Sequence, residues 1–309
     1  IYREEDLSMY IPILIKEIMD TSITGTPYWI YYGGGTPNLL SVERLKRVVE
    51  ALKTKVKLYN LGMEVHPAFL SFDYIQGLKE LGFSKMSMGV ESLTSEVMKR
   101  TRRAEVSSGD IFKFINFAIE KDIFVNVDMM VGLSGQTENV FLEDLKLLSK
   151  SGTSQITIYP FMILGGMDKE AIFSDNHQFA LIEQVASYLV LQGYERRGPW
   201  TFTLNTKHQY DSFKDELVDD YVGFGAGSFS FFGKWITINP TYQKYARNII
   251  KGEKLGLVAE KSKSSDDWRK FVRMIADLKL QTSPELPAYI NLFIRLLQLN
   301  RYGKGGSLS

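Results

Sequence analysis

The residues of this 309-residue chain that could do chemistry fall in five short groups. The first is Gly33-Gly34-Gly35-Thr36-Pro37, directly after the run Tyr28-Trp29-Ile30-Tyr31-Tyr32. Three successive glycines let the backbone turn sharply and approach a ligand with no side chain in the way. The others are Glu64 with His66-Pro67, Gly89-Val90-Glu91-Ser92, Asp128 with Gly132, and Tyr159-Pro160. Asp128 stands out because an acid in an apolar run needs a reason to be buried. The chemistry suggested is capture of a small polar molecule by a backbone cradle and a few acids. Taken alone, three glycines also make an ordinary strand-to-helix turn.

What must position these groups is an alternation of two periodicities. A helix is expected over about 7–20, with Ile11, Leu14, Ile15, Ile18 and Met19 on one stripe. The strand 28–32 leads through the glycines to a helix over 42–53. A strand around 56–59 to 64–65 follows, then a helix over 72–81 stopped by Gly82, and a strand over 85–90. A helix through Ile111, Phe114, Ile115, Ala118 and Ile119 precedes a strand over 124–131. A helix through Phe141, Leu145 and Leu148 precedes a strand over 155–159. Five strand–helix pairs at a period of about 30 residues predict parallel strands joined by right-handed crossovers. A barrel or an open doubly wound sheet satisfies that pattern, and both gather ligands at the carboxyl ends of the strands. All five groups sit there.

After about Phe161 the rhythm breaks. Gly165-Gly166 read as a link, a helix is expected over 177–192, and Gly193 ends it. Residues 200–204 and 221–239 are rich in aromatics and glycine and read as strands and tight turns beside the barrel mouth. Helices are expected over 242–250, 266–278 and 287–299, and 303–309 as a disordered or added tail. The expected organisation is a core over 1–165, an accessory α/β region over 166–250 and a helical region over 251–309.

Composition excludes little. Hydrophobic residues make up 44% and charged residues 24%, ordinary for a globular domain. The formal net charge of +1 gives no reason to expect nucleic acid or an acidic membrane as partner. No run reaches the ~18 uncharged apolar residues that span a bilayer. With no cysteine there is no disulfide, no thiol nucleophile and no thiolate ligand for a metal or cluster in these residues; a cytoplasmic location fits that. The histidines, at 66, 177 and 208, are scattered and read as solvated or locally bonded, with a metal or haem role open for His66 and His208. Trp200, Phe202, Tyr221, Phe229 and Phe231 could line a pocket for a flat substrate or form the accessory region's own core.

In order and spacing the groups resemble the radical S-adenosylmethionine (SAM) superfamily, and within it the oxygen-independent coproporphyrinogen III oxidases with their haem-chaperone and haem-utilisation relatives. The motifs are Tyr32-Gly33-Gly34-Gly35-Thr36-Pro37-Asn38-Leu39-Leu40-Ser41, Glu64-Val65-His66-Pro67, Gly89-Val90-Glu91-Ser92 with Arg103 downstream, and Asp128-Met129-Met130-Val131-Gly132-Leu133-Ser134-Gly135-Gln136-Thr137. Tyr221-Val222-Gly223-Phe224-Gly225-Ala226-Gly227-Ser228, Asn239 and Tyr245 match the accessory region. Trp200-Thr201-Phe202 looks most like the haem-utilisation branch. The resemblance covers roughly residues 10–252.

The resemblance implies an α/β fold, a partial (β/α) barrel of parallel strands with a C-terminal accessory α+β region. It implies SAM as cofactor, with Gly33, Gly34, Gly35 and Thr36 offering N–H groups to its methionine end. Glu64 would accept hydrogen bonds from it, Asp128 would hold the ribose hydroxyls, and Arg103 would pair with the carboxylate. Glu91 stands where the family usually has glutamine and would accept a hydrogen bond, while Met129 and Met130 would flank the adenine. Against these roles, Lys99, Arg100, Arg102 and Arg103 also read as a solvated basic face.

The family carries a [4Fe–4S] cluster on three cysteines spaced Cys-x-x-x-Cys-x-x-Cys, which this chain lacks. It opens about where the residues after that loop and the first strand should lie, so a truncated chain is expected rather than a cluster-free relic. The implied activity is a radical SAM oxidoreductase or methyltransferase acting on a tetrapyrrole, with flavodoxin or ferredoxin as electron donor. These 309 residues alone are expected to bind SAM weakly and to be inert. A haem-binding or haem-delivery protein, or a silent pseudoenzyme, are the alternatives.

Overall fold

The computed structural model describes residues 4–23, 25–57, 60–101, 103–161, 173–204, 220–233, 235–253 and 257–260. The link at 165–166, His208, the helices expected over 266–278 and 287–299 and the tail lie outside them. Two compact units are present. The first holds the described residues up to Arg196, with 200–204 and 246–253; the second holds the rest.

The first unit is built on five parallel strands: β1 (Ile30–Tyr32), β2 (Leu61–Val65), β3 (Phe83–Glu91), β4 (Phe124–Val131) and β5 (Gln155–Pro160). Between them run α2 (Val42–Lys53), α3 (Phe72–Leu81), α4 (Ser95–Arg100), α5 (Ser108–Glu120) and α6 (Glu138–Ser149), after an opening α1 (Glu4–Asp20). Beyond β5 come α7 (Asp175–Leu191), β6 (Glu195–Arg196) and β7 (Thr201–Thr203). The sheet order is β1-β2-β3-β4-β5-β7-β6, with β7 antiparallel to β5 and β6 antiparallel to β7. This is a partial (β/α) barrel.

Helix starts follow from residue type. Ser41, Ser71, Ser107, Thr137 and Ser174 each accept the backbone N–H three residues on, satisfying a donor the helix cannot. Gly82 closes α3 in the left-handed region. The core between sheet and helices takes Leu45 and Val49 from α2, Ile75 and Leu78 from α3, Ile111 and Ile115 from α5, and Phe141, Leu145 and Leu148 from α6. These are the periodic apolar positions of each helix.

Two expectations need correction, and one short helix was not among them. The strand expected from 56 begins at Leu61, since Thr54, Lys55 and Val56 bond back to the end of α2. Residues 200–204 supply β7, which joins the main sheet through Ile156 and Phe202 in register, rather than accessory strands. The short α4 falls on part of the basic run, which reads as a charged surface without the apolar period that would mark a helix.

In the second unit β8 (Phe229–Phe232), β9 (Trp235–Ile238) and β10 (Leu257–Glu260) form an antiparallel sheet. Asn239 donates to the Gly225 carbonyl at 2.9 Å and to Ser228 Oγ at 3.0 Å, tying the glycine-rich turn to the end of β9. A further helix, α8, spans Tyr242–Lys251. Among the described residues no helix is long and apolar enough to cross a membrane.

Two buried glutamines lock the strand exits. Gln136 accepts from the N–H groups of Gly132 (2.8 Å) and Leu133 (3.3 Å) and donates to Met130 C=O at 3.0 Å. Gln178 accepts from Phe161 N–H at 2.6 Å and donates to the carbonyls of Phe161 and Phe173, both at 3.2 Å. Gln178→Ala orphans these groups in a site closed to water, so a loss of about 2–4 kcal/mol is expected, read from the urea unfolding midpoint.

Candidate ligand site at the strand ends

Side chains alternate across a strand, and here the alternation separates two chemistries. One face carries Leu61, Met63, Val65, Met86, Met88, Val90, Val125, Val127, Met129, Val131, Ile156 and Ile158, all in the core under the helices. The residues between them are Glu64 on β2, Ser87, Gly89 and Glu91 on β3, Asn126, Asp128 and Met130 on β4, and Gln155, Thr157 and Tyr159 on β5. Register places Glu64 beside Ser87, Ser87 beside Asn126, Gly89 beside Asp128 and Asp128 beside Thr157.

The glycine turn and Glu64 are in contact. Gly34 N–H donates to Glu64 Oε2 at 3.1 Å, and a Cβ on Gly33 would lie 3.2 Å from the Glu64 carboxyl, so any side chain there crowds the acid. Thr36 begins the 3-10 turn Pro37–Leu39 without a side-chain cap bond. Asn38 and His66 exchange two bonds of 2.9 Å, Nδ2 to the His66 carbonyl and His66 N–H to Oδ1, which joins this turn to the exit of β2. Nδ1 of His66 accepts from Ala68 N–H at 3.1 Å, a local capping role. Burial, then the Arg103 charge, hold its pKa below the ordinary value.

Asp128 is enclosed and well supplied with donors. Ser87 Oγ donates to Oδ2 at 2.8 Å and Asn126 Nδ2 to Oδ1 at 2.7 Å. Asn126 Nδ2 also reaches Ser87 Oγ at 2.6 Å, and its Oδ1 accepts from Thr157 Oγ1 at 2.9 Å. Burial raises the Asp128 pKa to about 7; the two donors oppose the rise, and the charges of Glu91 and Glu64 add to it. Burial likewise raises Glu64, partly offset by the Gly34 N–H.

Glu91 and Arg103 form an ion pair. A bulge at Gly89/Glu91 re-aims the chain, and Glu91 takes φ +67°, a region that non-glycine residues seldom occupy. Burial raises the Glu91 pKa against the pull of Arg103. The loop that follows is anchored by Asp144 of α6, which accepts from Ser92 Oγ at 2.5 Å, Leu93 N–H at 3.0 Å and Thr94 Oγ1 at 2.9 Å.

The sequence-predicted residues thus meet in three linked groups: Gly33, Gly34 and Glu64; Asp128 with its donors; and Glu91 with Arg103. Met130 shares the Asp128 face. Met129 does not: one residue along, it points to the opposite side and is fully buried in the core. Sequence reasoning passed over Ser87, Asn126, Thr157 and Asp144. A polar residue at every second position of the strands was the available signal for the first three; Asp144 looks like any polar residue of an amphipathic helix.

A carboxyl with a raised folded pKa holds its proton better in the folded chain, so its contribution to stability is present in acid and lost as pH rises through about 7. Asp128→Asn cannot ionise. Its stability relative to the parent is therefore expected to grow between about pH 5 and about pH 8, measured by urea unfolding; a gap constant with pH would contradict the burial argument.

Comparison with known proteins agrees with this geometry. The family model described as the radical SAM superfamily matches residues 15–148. The chain is 25% identical over 271 residues to the heme chaperone HemW of Bacillus subtilis, covering 80% of this chain and 69% of that protein. It is 22% identical over 267 residues to an oxygen-independent coproporphyrinogen III oxidase of Synechocystis, covering 77% and 56%. It is 22% identical over 289 residues to the anaerobilin synthase of Escherichia coli O157:H7, covering 87% and 64%. It thus spans between about half and about two thirds of these relatives' lengths. The solved coproporphyrinogen III oxidase of Escherichia coli, described as a radical SAM enzyme, shares the fold with a TM-score of 0.78 at 20% identity, covering 98% of this chain and 76% of that one. Over residues 15–148 the chain matches the radical SAM superfamily model, it is similar to heme chaperones and oxygen-independent coproporphyrinogen III oxidases, and it shares the fold of the latter.

Proposed function

We propose that the polar strand-end face binds SAM and that the enzyme built on this chain acts on a tetrapyrrole. The observation that carries the reading is Glu64, bonded to Gly34 N–H beneath a turn where a Cβ on Gly33 would crowd its carboxyl, in the electrostatic field of Asp128. These residues suit the group. Gly33, Gly34, Gly35 and Thr36 would meet the methionine end, and Glu64 would accept from its amine or hydroxyl hydrogens. Asp128 keeps lone pairs on both oxygens for a vicinal diol. Arg103, steadied by Glu91, would face the ligand carboxylate, and Met130 would lie by the adenine. Bound at these residues, SAM would bring radical hydrogen-abstraction chemistry to the site.

The cluster is a different matter. The family's three-cysteine site has no counterpart in these 309 residues, which contain no cysteine. What this face does is bind and orient, with Asp128 as an acceptor. An electron donor such as flavodoxin or ferredoxin and a cytoplasmic setting go with the reading.

The names of three relatives support a tetrapyrrole as the substrate class; oxidative decarboxylation and methyl transfer are the two reactions that fit. The HemW match favours haem delivery as a second reading. Two measurements decide. Titration of SAM into this chain should show weak saturable binding, reduced about tenfold or more in Glu64→Gln through loss of a charged hydrogen-bond acceptor. Protein from the complete reading frame, reconstituted anaerobically with iron and sulfide, should release 5′-deoxyadenosine with a porphyrinogen or haem. Stoichiometric haem binding with no SAM cleavage would replace the enzyme reading with delivery.

A further inference from the structure

β3 ends in a turn of strained geometry. Ser92 N–H donates to the Val90 carbonyl at 2.8 Å, and Glu91 between them takes φ +67°. A hydrogen bond spanning two residues over a positive φ is the strained, seldom-seen form of the γ-turn. A residue other than glycine stays in such a conformation only where its surroundings hold it there.

Here they hold it from two sides. Arg103 Nη1 donates to Glu91 Oε1, and Gly89 leaves the space beside the pair clear. A Cβ on Gly89 would lie 3.6 Å from both Arg103 Nη2 and Glu91 Oε1, so a longer side chain would reach into them. On the other side stands Asp144 of α6, itself buried. It accepts from Ser92 Oγ at 2.5 Å, Leu93 N–H at 3.0 Å and Thr94 Oγ1 at 2.9 Å, while Ser92 Oγ accepts from Thr94 N–H at 3.2 Å. The three residues after the turn therefore close on one carboxylate. Further along, Ser95 Oγ donates to Glu105, tying the start of α4 to the segment that carries Arg103. Both partners of the ion pair thus belong to one loop, and Asp144 fixes its start.

We infer that Asp144 is a positioning residue of the ligand face: its carboxylate clamps the strained turn at Glu91, and Glu91 in turn holds Arg103 where a ligand carboxylate would meet it. The inference rests on the reading of this face as a SAM site. Without the acceptors of Asp144 the turn is free to relax to extended backbone, which carries Glu91 off Arg103.

The test uses Asp144→Asn, which keeps the shape but turns an amide donor toward the loop's own donors. A second variant, Ser92→Ala, removes one bond and leaves Asp144 in place. Two readouts are taken: exchange of the Arg103 guanidinium protons by nitrogen-15 NMR without ligand, and SAM affinity by calorimetry. Asp144→Asn is expected to speed the exchange and weaken SAM binding, each by about tenfold, and Ser92→Ala each by about threefold. In a Glu91→Ala background Asp144→Asn should weaken SAM binding no further, since both act through one pair. Gln178→Ala, which weakens the fold at the exit of β5, should leave the Arg103 exchange unmoved. Exchange unchanged in both loop variants, exchange moved as much by Gln178→Ala, or a full loss of affinity in the Glu91→Ala background overturns the inference while the SAM reading stands. Absence of SAM binding by the parent chain overturns the reading and the inference with it.

Discussion

A carboxylate taken out of water costs on the order of several kcal/mol unless donors replace the lost solvent, and the strand-end face is arranged around that constraint at Asp128. Ser87 and Asn126 supply direct donors, and Thr157 orients Asn126. The donors do not cancel the cost, which is why the pKa settles near 7. A group in that balance is poorly placed as structural filler and well placed to accept from a ligand, consistent with the concentration of perturbed carboxyls at functional sites.

The same logic explains the division of the sheet into two faces. Parallel strands covered by helices bury one apolar face. Because successive side chains alternate, each apolar residue of the core leaves its neighbour on the other side. At the ends of β2, β3 and β4 that other side holds three acids, Glu64, Glu91 and Asp128, with Arg103 paired to Glu91. An excess of carboxylates suits a cationic ligand, and a sulfonium nucleoside is one. Elements outside the face hold it still: Gln136 and Gln178 lock the exits of β4 and β5, and Asp144 ties the loop after Glu91 to α6.

Much of this was legible in the residues themselves. The glycine run after an apolar strand, the acids at 64 and 128 and the helical stripes placed the strand–helix pairs and their order, because backbone permissiveness and apolar periodicity are local properties. Order and spacing of the motifs also carried the resemblance to the radical SAM superfamily. The misread segments are those where local pattern is silent. Residues from 56 lacked a stop signal, α4 lacked an apolar stripe, and β7 lies in an aromatic run whose partner in the sheet is far away in sequence.

What the sequence by itself determined is the strand–helix rhythm, the family resemblance and the identity of the acids, since these depend on residue type and spacing. Only the tertiary structure decided which acids share a field, that Arg103 is held by Glu91, and that Met129 faces the core while Met130 shares the face of Asp128. Those facts depend on strand register and on contacts between separate elements, which leave no trace in local pattern.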